Sequence, residues 1–274
     1  MPSQQIQIGH LNFHILEEGT GLPVLLLHGF PDSSYLWRNQ IPALVNEGMH
    51  VIAPDLRGFG ESDKPAEPEF YKLQLIVEDA IAMLDRLGIE RTHVVGHDWG
   101  AAVSWALASL YPERVDRLVA LSVGHPATFF KTGMEQREKS WYMLLFQFRE
   151  IAEELLTRDD WKLFRDLFNH HPEMSQWLKD LQRPGALTAA LNWYRANVAP
   201  EVWLPEKWAL PKVQASVLGV WSSRDAYLTE AQMLLSAQYV SGVWKYERIE
   251  GASHWMQLDQ PEKVNSLLLN FLSG

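Results

Sequence analysis

The sequence predicts an α/β fold in which a mostly parallel sheet is flanked by helices and interrupted by a helical insertion. Three observations favour this class. Short apolar runs alternate with stretches of helical periodicity up to about residue 122, which is typical of βαβ units. After Gly124-His125-Pro126 this alternation gives way to a long helical stretch that is dense in Trp and Tyr. The alternation then returns near residue 213.

The strand and helix patterns before the insertion follow in chain order. The segments 6–8 and 11–17 pair as a hairpin that turns at Gly9-His10. Continuous apolar runs, typical of parallel strands buried on both faces, cover 24–27, 51–53 and 92–95, and a further strand is predicted at 115–122. Apolar residues at helical spacing cover 74–87 and about 99–111.

The second half predicts the insertion and the rest of the sheet. Residues from about 127 to 210 have a helical pattern without a convincing strand. Strands are then predicted at 213–221 and 244–249, and helices at 229–239 and 261–272, the last beginning at Pro261. We therefore expect a core at 1–125 and 211–274 and a helical cap at 126–210.

Composition excludes several function classes. The chain has 274 residues, 47% of them hydrophobic, and can bury a large core without metal or disulfide support. Its net charge of -10 argues against nucleic acid or an anionic membrane as partner. It has no cysteine, and its N-terminus shows no secretory pattern, so we expect a cytoplasmic protein. Adjacent histidines such as His170-His171 do not share a helix face, and no metal site is expected.

The most informative motif is Gly96-His97-Asp98-Trp99-Gly100, at the end of a predicted strand and the start of a helix. A glycine-flanked strand-to-helix turn is the nucleophile elbow of α/β-hydrolases, which usually carries serine. A carboxylate cannot usefully attack an ester or amide, because the mixed anhydride formed is less stable than the substrate. It can displace a leaving group from an alkyl carbon, which points to epoxide opening or carbon–halogen cleavage. Taken alone, the pentapeptide also allows Asp98 to be a helix cap.

Other polar residues also follow predicted strand ends, where open parallel sheets bind ligands. His254 lies after the last strand and is the natural base near neutrality. Asp225 lies after the preceding strand and would orient the imidazole, although pairing with Arg224 or a turn role are alternatives. In this fold the loop His28-Gly29-Phe30-Pro31 supplies one oxyanion-hole N–H from Phe30, and Trp99 supplies the other.

Together these motifs resemble the epoxide hydrolase branch of the α/β-hydrolases. The resemblance spans the whole chain and includes Asp55-Leu56-Arg57-Gly58-Phe59-Gly60-Glu61-Ser62. It implies the α/β-hydrolase fold and two cap tyrosines that bind the epoxide oxygen. The first is Tyr142, in Tyr142-Met143-Leu144-Leu145-Phe146-Gln147, although the following Phe148-Arg149-Glu150 lacks the glycine common in the family. The second is Tyr194, in Asn192-Trp193-Tyr194-Arg195.

Haloalkane and haloacetate dehalogenases share the triad pattern but fit less well. The former commonly carry Asn or Glu where this chain has Phe30, and the latter usually carry Arg where it has Trp99. We expect a cofactor-free epoxide hydrolase, monomeric or homodimeric, acting on a small-molecule epoxide without nucleic acid or membrane partners. The alternatives are a dehalogenase with the same triad and a noncatalytic small-molecule-binding protein of this fold.

Overall fold

The computed structural model describes residues 2–129, 131–200 and 210–274. One sheet runs through the molecule in the strand order β1-β2-β4-β3-β5-β6-β7-β8. The strands are β1 (Ser3–Ile8), β2 (Leu11–Glu18), β3 (Leu22–Leu27), β4 (Met49–Pro54), β5 (Thr92–His97), β6 (Val115–Leu121), β7 (Ser216–Ser222) and β8 (Trp244–Ile249). β2 pairs antiparallel with β1 and with β4, and all other neighbours are parallel. The α/β-hydrolase fold class is confirmed.

Helices that pack around this sheet come from both sides of the predicted insertion. They are α1 (Gln40–Asn46), α2 (Leu73–Arg86) and α3 (Trp99–Leu110) before it, and α10 (Glu230–Leu235), α11 (Met256–Asp259) and α12 (Pro261–Leu272) after it. The central strand β5 is buried along its whole length, as its continuous apolar run predicts. The carboxyl end of β5 therefore lies in the interior of the protein, where α3 begins.

Between β6 and β7 the described residues form helices and their connections. These helices are α4 (Pro126–Phe129), α5 (Gly133–Lys139), α6 (Tyr142–Leu145), α7 (Ile151–Leu167), α8 (Met174–Leu181) and α9 (Ala186–Asn197). α7 is interrupted by non-helical backbone at 158–161. The part of the predicted cap at 201–209 lies outside the described residues.

Three segments differ most from the sequence prediction. The strand predicted at 213–221 begins at Ser216, and Val213 forms only an isolated bridge with Val240. The helix predicted at 229–239 is α10 followed by a 3₁₀ turn at Ser236–Tyr239, because the backbone tightens in its last turn. The segment 34–46, for which no element was predicted, forms a 3₁₀ helix at Ser34–Asn39 and then α1.

Candidate active site

Asp98 occupies a strained turn between β5 and α3. Its φ of 53° and ψ of -123° lie in a region that residues other than glycine rarely adopt. The flanking glycines are required by close packing. A Cβ on Gly96 would stand 2.3 Å from the carbonyl oxygen of Gly100, and one on Gly100 would stand 2.0 Å from that of Leu27. The turn thus holds the Asp98 side chain at the carboxyl end of the sheet, and no described hydrogen bond makes that carboxylate a helix cap.

The two oxygens of the Asp98 carboxylate have different surroundings. Oδ1 accepts a hydrogen bond of 2.8 Å from the Phe30 N–H. Gly29 permits this approach, because a Cβ there would stand 2.2 Å from Oδ1. Oδ2 lies 3.6 Å from Nε2 of His254. One oxygen therefore lies against a backbone donor, and the other faces the histidine.

The Trp99 N–H is the other donor expected at this position. In the described part of the chain no hydrogen bond joins it to the Asp98 side chain. Trp99 is nevertheless the first residue of α3, where backbone N–H groups have no acceptor within the helix. An oxygen that gains charge at Asp98 would therefore face the positive end of α3 as well as the Phe30 N–H.

His254 and Asp225 form a buried pair beside Asp98. Nδ1 of His254 donates to Oδ2 of Asp225 across 2.9 Å, and this leaves Nε2 facing Asp98. The other oxygen of Asp225 accepts the backbone N–H groups of Tyr227 and Leu228 at 2.8 and 2.9 Å. Asp225 thus orients the histidine and also closes its own turn, so two of its expected roles coexist, and no ion pair joins it to Arg224 in the described residues.

Electrostatics hold His254 in its protonated form. Burial alone would lower its pKa, but Asp225 and Asp98 outweigh burial and raise the pKa to about 10. Asp225 shows the converse effect, since burial would raise its pKa while the charge and hydrogen bond of His254 lower it. At neutral pH the site therefore carries an imidazolium between two carboxylates.

Ser122 is a member of this group that sequence reasoning missed. Its hydroxyl donates to Oδ2 of Asp225 and lies 2.8 Å from Nδ1 of His254. Ser122 follows β6 directly and has a φ of 71°, which is unusual for a residue other than glycine. Its place directly after a predicted strand was the available signal.

The loop before Phe30 is fixed by backbone hydrogen bonds. Nδ1 of His28 donates to the carbonyl of Gly29, and Nε2 accepts the N–H of Leu56, both at 2.9 Å. Burial lowers the pKa of His28, which agrees with a neutral ring that both donates and accepts. His28 therefore supports the loop from within the core, while Gly29 and Phe30 face Asp98 and Pro31 follows them in a buried position.

Asp32, directly after this loop, is a second residue that the sequence did not reveal. Its oxygens accept the indole N–H groups of Trp177 at 2.7 Å and Trp255 at 2.9 Å. Burial raises the pKa of Asp32 to about 7. Trp177 belongs to α8 and Trp255 follows His254, so Asp32 joins the inserted helices to the loop that carries the histidine.

The two tyrosines come together above Asp98. Tyr142 begins α6 and Tyr194 lies in α9, and their ring centres are 6.0 Å apart. The ring of Tyr194 also meets Phe30 and Trp99 edge-to-face, with centres 5.5 and 5.2 Å apart. Burial raises the pKa of both phenols well above 10, and the charge of Asp98 raises them further. Both phenols therefore remain protonated near neutral pH and can donate hydrogen bonds.

Neighbours within the Tyr194 motif anchor it on several elements. Asn192 donates to the carbonyl of Ala66 at 2.8 Å, and the Trp193 indole donates to that of Arg57 at 3.0 Å. Arg195 is held by the carboxylate of Glu153 in a two-pronged contact of 2.8 and 2.9 Å. These contacts hold α9 against α7 and against the segment after β4. The Tyr194 side chain lies on the side of α9 that faces the Asp98 cavities.

The Tyr142 motif packs against the same helix. Phe146 meets the rings of Tyr142 and Tyr194 edge-to-face, with centres 5.3 and 4.9 Å apart. Gln147 donates to the backbone carbonyl of Tyr194 at 3.3 Å. Phe146 and Gln147 therefore hold α6 against α9 and so position the two tyrosine rings next to each other.

Two of the cavities lined by described residues have Asp98 in their walls. The larger, of about 70 Å³, is lined by Asp98, both tyrosines and mostly apolar side chains. The smaller, of about 10 Å³, is lined by Asp98, His254, both tyrosines and further aromatic rings. Among the residues described, no group of His, Asp and Glu has the arrangement of a metal site. No described helix has the length and apolar character needed to cross a bilayer.

Comparison with known proteins identifies the family. A sequence profile for the alpha/beta hydrolase fold matches residues 23–261. Epoxide hydrolase 2 of Caenorhabditis elegans is 35% identical over 98% of this chain and 79% of its own length. Human epoxide hydrolase 4 is 33% identical over 98% of this chain and 77% of its own length.

A solved structure of similar shape gives the same assignment. A single-residue mutant of an epoxide hydrolase from Bacillus megaterium superimposes with a TM-score of 0.90 at 31% identity, covering 99% of this chain and 100% of that one. This chain belongs to the α/β-hydrolase family, in the branch of the epoxide hydrolases.

Proposed function

We propose that the protein is an epoxide hydrolase that converts an epoxide to a vicinal diol through a covalent ester on Asp98. The observation that carries this proposal is a carboxylate at the nucleophile elbow, with His254 3.6 Å away and two protonated tyrosines bordering the same cavity. The similarity to proteins named epoxide hydrolase, at 33–35% identity, supports it. Segments 1–125 and 211–274 would form the hydrolase core, and 126–210 the cap that brings the tyrosines.

Ring opening is assigned to Oδ2 of Asp98. Oδ1 is engaged by the Phe30 N–H, whereas Oδ2 is the oxygen on the His254 side. A bond forms between Oδ2 and an epoxide carbon as the bond between that carbon and the ring oxygen breaks. The ring oxygen takes a proton from Tyr142 or Tyr194, because a free alkoxide is a poor leaving group and a phenol can protonate it.

The next step makes His254 a base. Esterification removes the charge of Asp98, which is one of the two charges that raise the pKa of His254. The imidazolium of His254 then gives its proton to the tyrosinate, since Tyr142 and His254 line the same small cavity. This transfer restores the phenol and leaves a neutral imidazole, held by Asp225.

Hydrolysis of the ester completes the cycle. Neutral His254 takes a proton from water, and the hydroxide adds to the carbonyl carbon of the Asp98 ester. The oxyanion forms on Oδ1, beside the Phe30 N–H, and we expect the Trp99 N–H at the start of α3 to be the second donor that stabilises the developing charge. Collapse breaks the bond between the carbonyl carbon and Oδ2, and the diol leaves with that oxygen. Protons redistribute so that Asp98 is again a carboxylate and His254 an imidazolium.

A substrate panel tests the activity. The purified protein is incubated with a set of epoxides and a set of chlorinated and brominated alkanes, and diol and halide are measured. We expect diol from one or more epoxides and no enzyme-dependent halide. Halide release with every epoxide left unopened would assign the site to dehalogenation, and ligand binding without turnover of either set would assign a binding role. Asp98→Ala is the control and should abolish turnover.

A further inference from the structure

The two cavities beside Asp98 differ in volume and in the side chains that line them. They share Asp98, Tyr142 and Tyr194 as wall residues, and their remaining walls are different. An epoxide held between Asp98 and the two hydroxyls would therefore have both cavities available to its substituents. The size of each cavity then decides which substituents fit.

The larger cavity suits an apolar group of several atoms. Its volume of about 70 Å³ is about seven times that of the smaller cavity, so it is the one with room for a group of several atoms. Beyond the shared residues its walls include Leu73, Ala102, Val123, Met143 and Leu228, and Asp98 is the only charged side chain among the described residues that line it. A phenyl ring or a short alkyl chain matches this volume and chemistry.

The smaller cavity has room for a single water. Its volume is only about 10 Å³, which is too small for a substituent of several atoms. Phe168 forms part of its wall and packs on Phe30, Tyr227 and Trp255, with ring centres 5.7, 5.9 and 5.9 Å apart. His254 lines it too, so the water placed there is within reach of the proposed base.

We infer that the enzyme is selective for terminal epoxides that carry one apolar group, and that it rejects epoxides with a bulky group on each ring carbon. This inference rests on the proposed function. The single group occupies the larger cavity, and the smaller cavity is reserved for the hydrolytic water. A second bulky group would have to displace that water and push against the Phe168 cluster of aromatic rings.

Matched substrates test the inference directly. Styrene oxide carries one phenyl group, and trans-stilbene oxide carries a second phenyl on the other ring carbon. We expect kcat/KM for diol formation to be at least about 100-fold higher with styrene oxide, the scale on which a pocket discriminates a misfit group. Equal kcat/KM for the two epoxides would overturn the inference while leaving the proposed function intact. Absence of diol from every epoxide would instead refute the proposed function.

Two variants locate the selectivity in the cavities. Phe168→Ala should raise the ratio of kcat/KM for trans-stilbene oxide over styrene oxide by at least about tenfold, because it opens the smaller cavity. Phe164→Ala is the matched control, since Phe164 is an equally buried ring that packs on Phe168 and lines neither cavity. The control should leave the ratio unchanged, and an equal rise in both variants would contradict the inference.

A substitution in the larger cavity provides a test that does not depend on the aromatic cluster. Ala102→Leu fills part of that cavity from α3. It should lower kcat/KM for styrene oxide relative to propylene oxide, whose substituent is a methyl group, by about tenfold. If this ratio is unchanged, the substituent does not occupy the larger cavity and the assignment is wrong.

Discussion

Replacing Asp98 by asparagine should lower the pKa of His254. The substitution keeps the size of the side chain and removes its charge, which is also what esterification does to Asp98. In the parent protein, Asp98 and Asp225 raise the pKa of His254 to about 10 against the opposing effect of burial. Asp98→Asn therefore isolates the contribution of the Asp98 charge to the pKa of His254, which ester formation should also remove.

The size of the effect follows from the separation of the charges. His254 Nε2 lies 3.6 Å from Oδ2 of Asp98. At an effective dielectric constant near 20 the attraction between two unit charges at this distance is at most roughly 4.6 kcal/mol, which corresponds to a pKa change of about three. The pKa of His254 should therefore fall from about 10 toward neutrality in the variant, while Asp225 continues to raise it. A histidine in that range can act as a general base at neutral pH, whereas one near 10 is almost wholly protonated.

Titration of the imidazole by ¹⁵N NMR measures this change. The His254 signals are followed against pH in the parent, in Asp98→Asn and in Asp116→Asn. Asp116 is the control, because its carboxylate pairs with Arg91 and His93. The reasoning fails if the pKa of His254 is near its ordinary value in the parent, or if Asp98→Asn and Asp116→Asn leave it equally high.

Three further outcomes follow from the geometry. Tyr142→Phe and Tyr194→Phe should each slow formation of the ester by roughly 100–1,000-fold in stopped-flow single turnovers, whereas hydrolysis of ester already formed changes little; unchanged rates in both would remove them from ring opening. Asp225→Asn should slow ester hydrolysis more than its formation, because His254 loses its orienting partner, and intact-protein mass spectrometry should then detect substrate bound to the protein. Gly100→Ala should lower the free energy of unfolding by at least about 2 kcal/mol in urea titrations, because its Cβ would stand 2.0 Å from the Leu27 carbonyl oxygen; parent-like stability would show that the elbow tolerates a side chain.

The elbow could be predicted from the sequence because its requirements are local. A buried strand, two glycines and a helix of small residues occupy about twenty consecutive positions, and each glycine has a backbone neighbour that excludes a Cβ. The strand ends that carry Asp225 and His254 were predictable for the same reason. Parallel strands bring their carboxyl ends to one edge, so residues placed there are brought together by topology alone.

Contacts between distant segments could not be predicted in this way. Ser122 meets Asp225 across 103 positions of sequence, and Asp32 meets Trp255 across 223. Serine and aspartate are common after strands and in turns, so their residue types do not indicate a partner. The sizes of the two cavities are equally inaccessible to sequence, because they depend on how rings from separate helices pack. Phe168 lines the smaller cavity where α7, the Phe30 loop and the His254 loop converge.

The central claim is that Asp98 forms a covalent ester whose carbonyl carbon is attacked by water. A single turnover in H₂¹⁸O, with enzyme in excess over a terminal epoxide, tests it most directly. The account predicts unlabelled diol, because its second oxygen comes from Asp98, and one ¹⁸O in the peptide that contains Asp98. Labelled diol in the first turnover, with an unlabelled Asp98 peptide, would mean that water attacks the epoxide directly and would contradict the account.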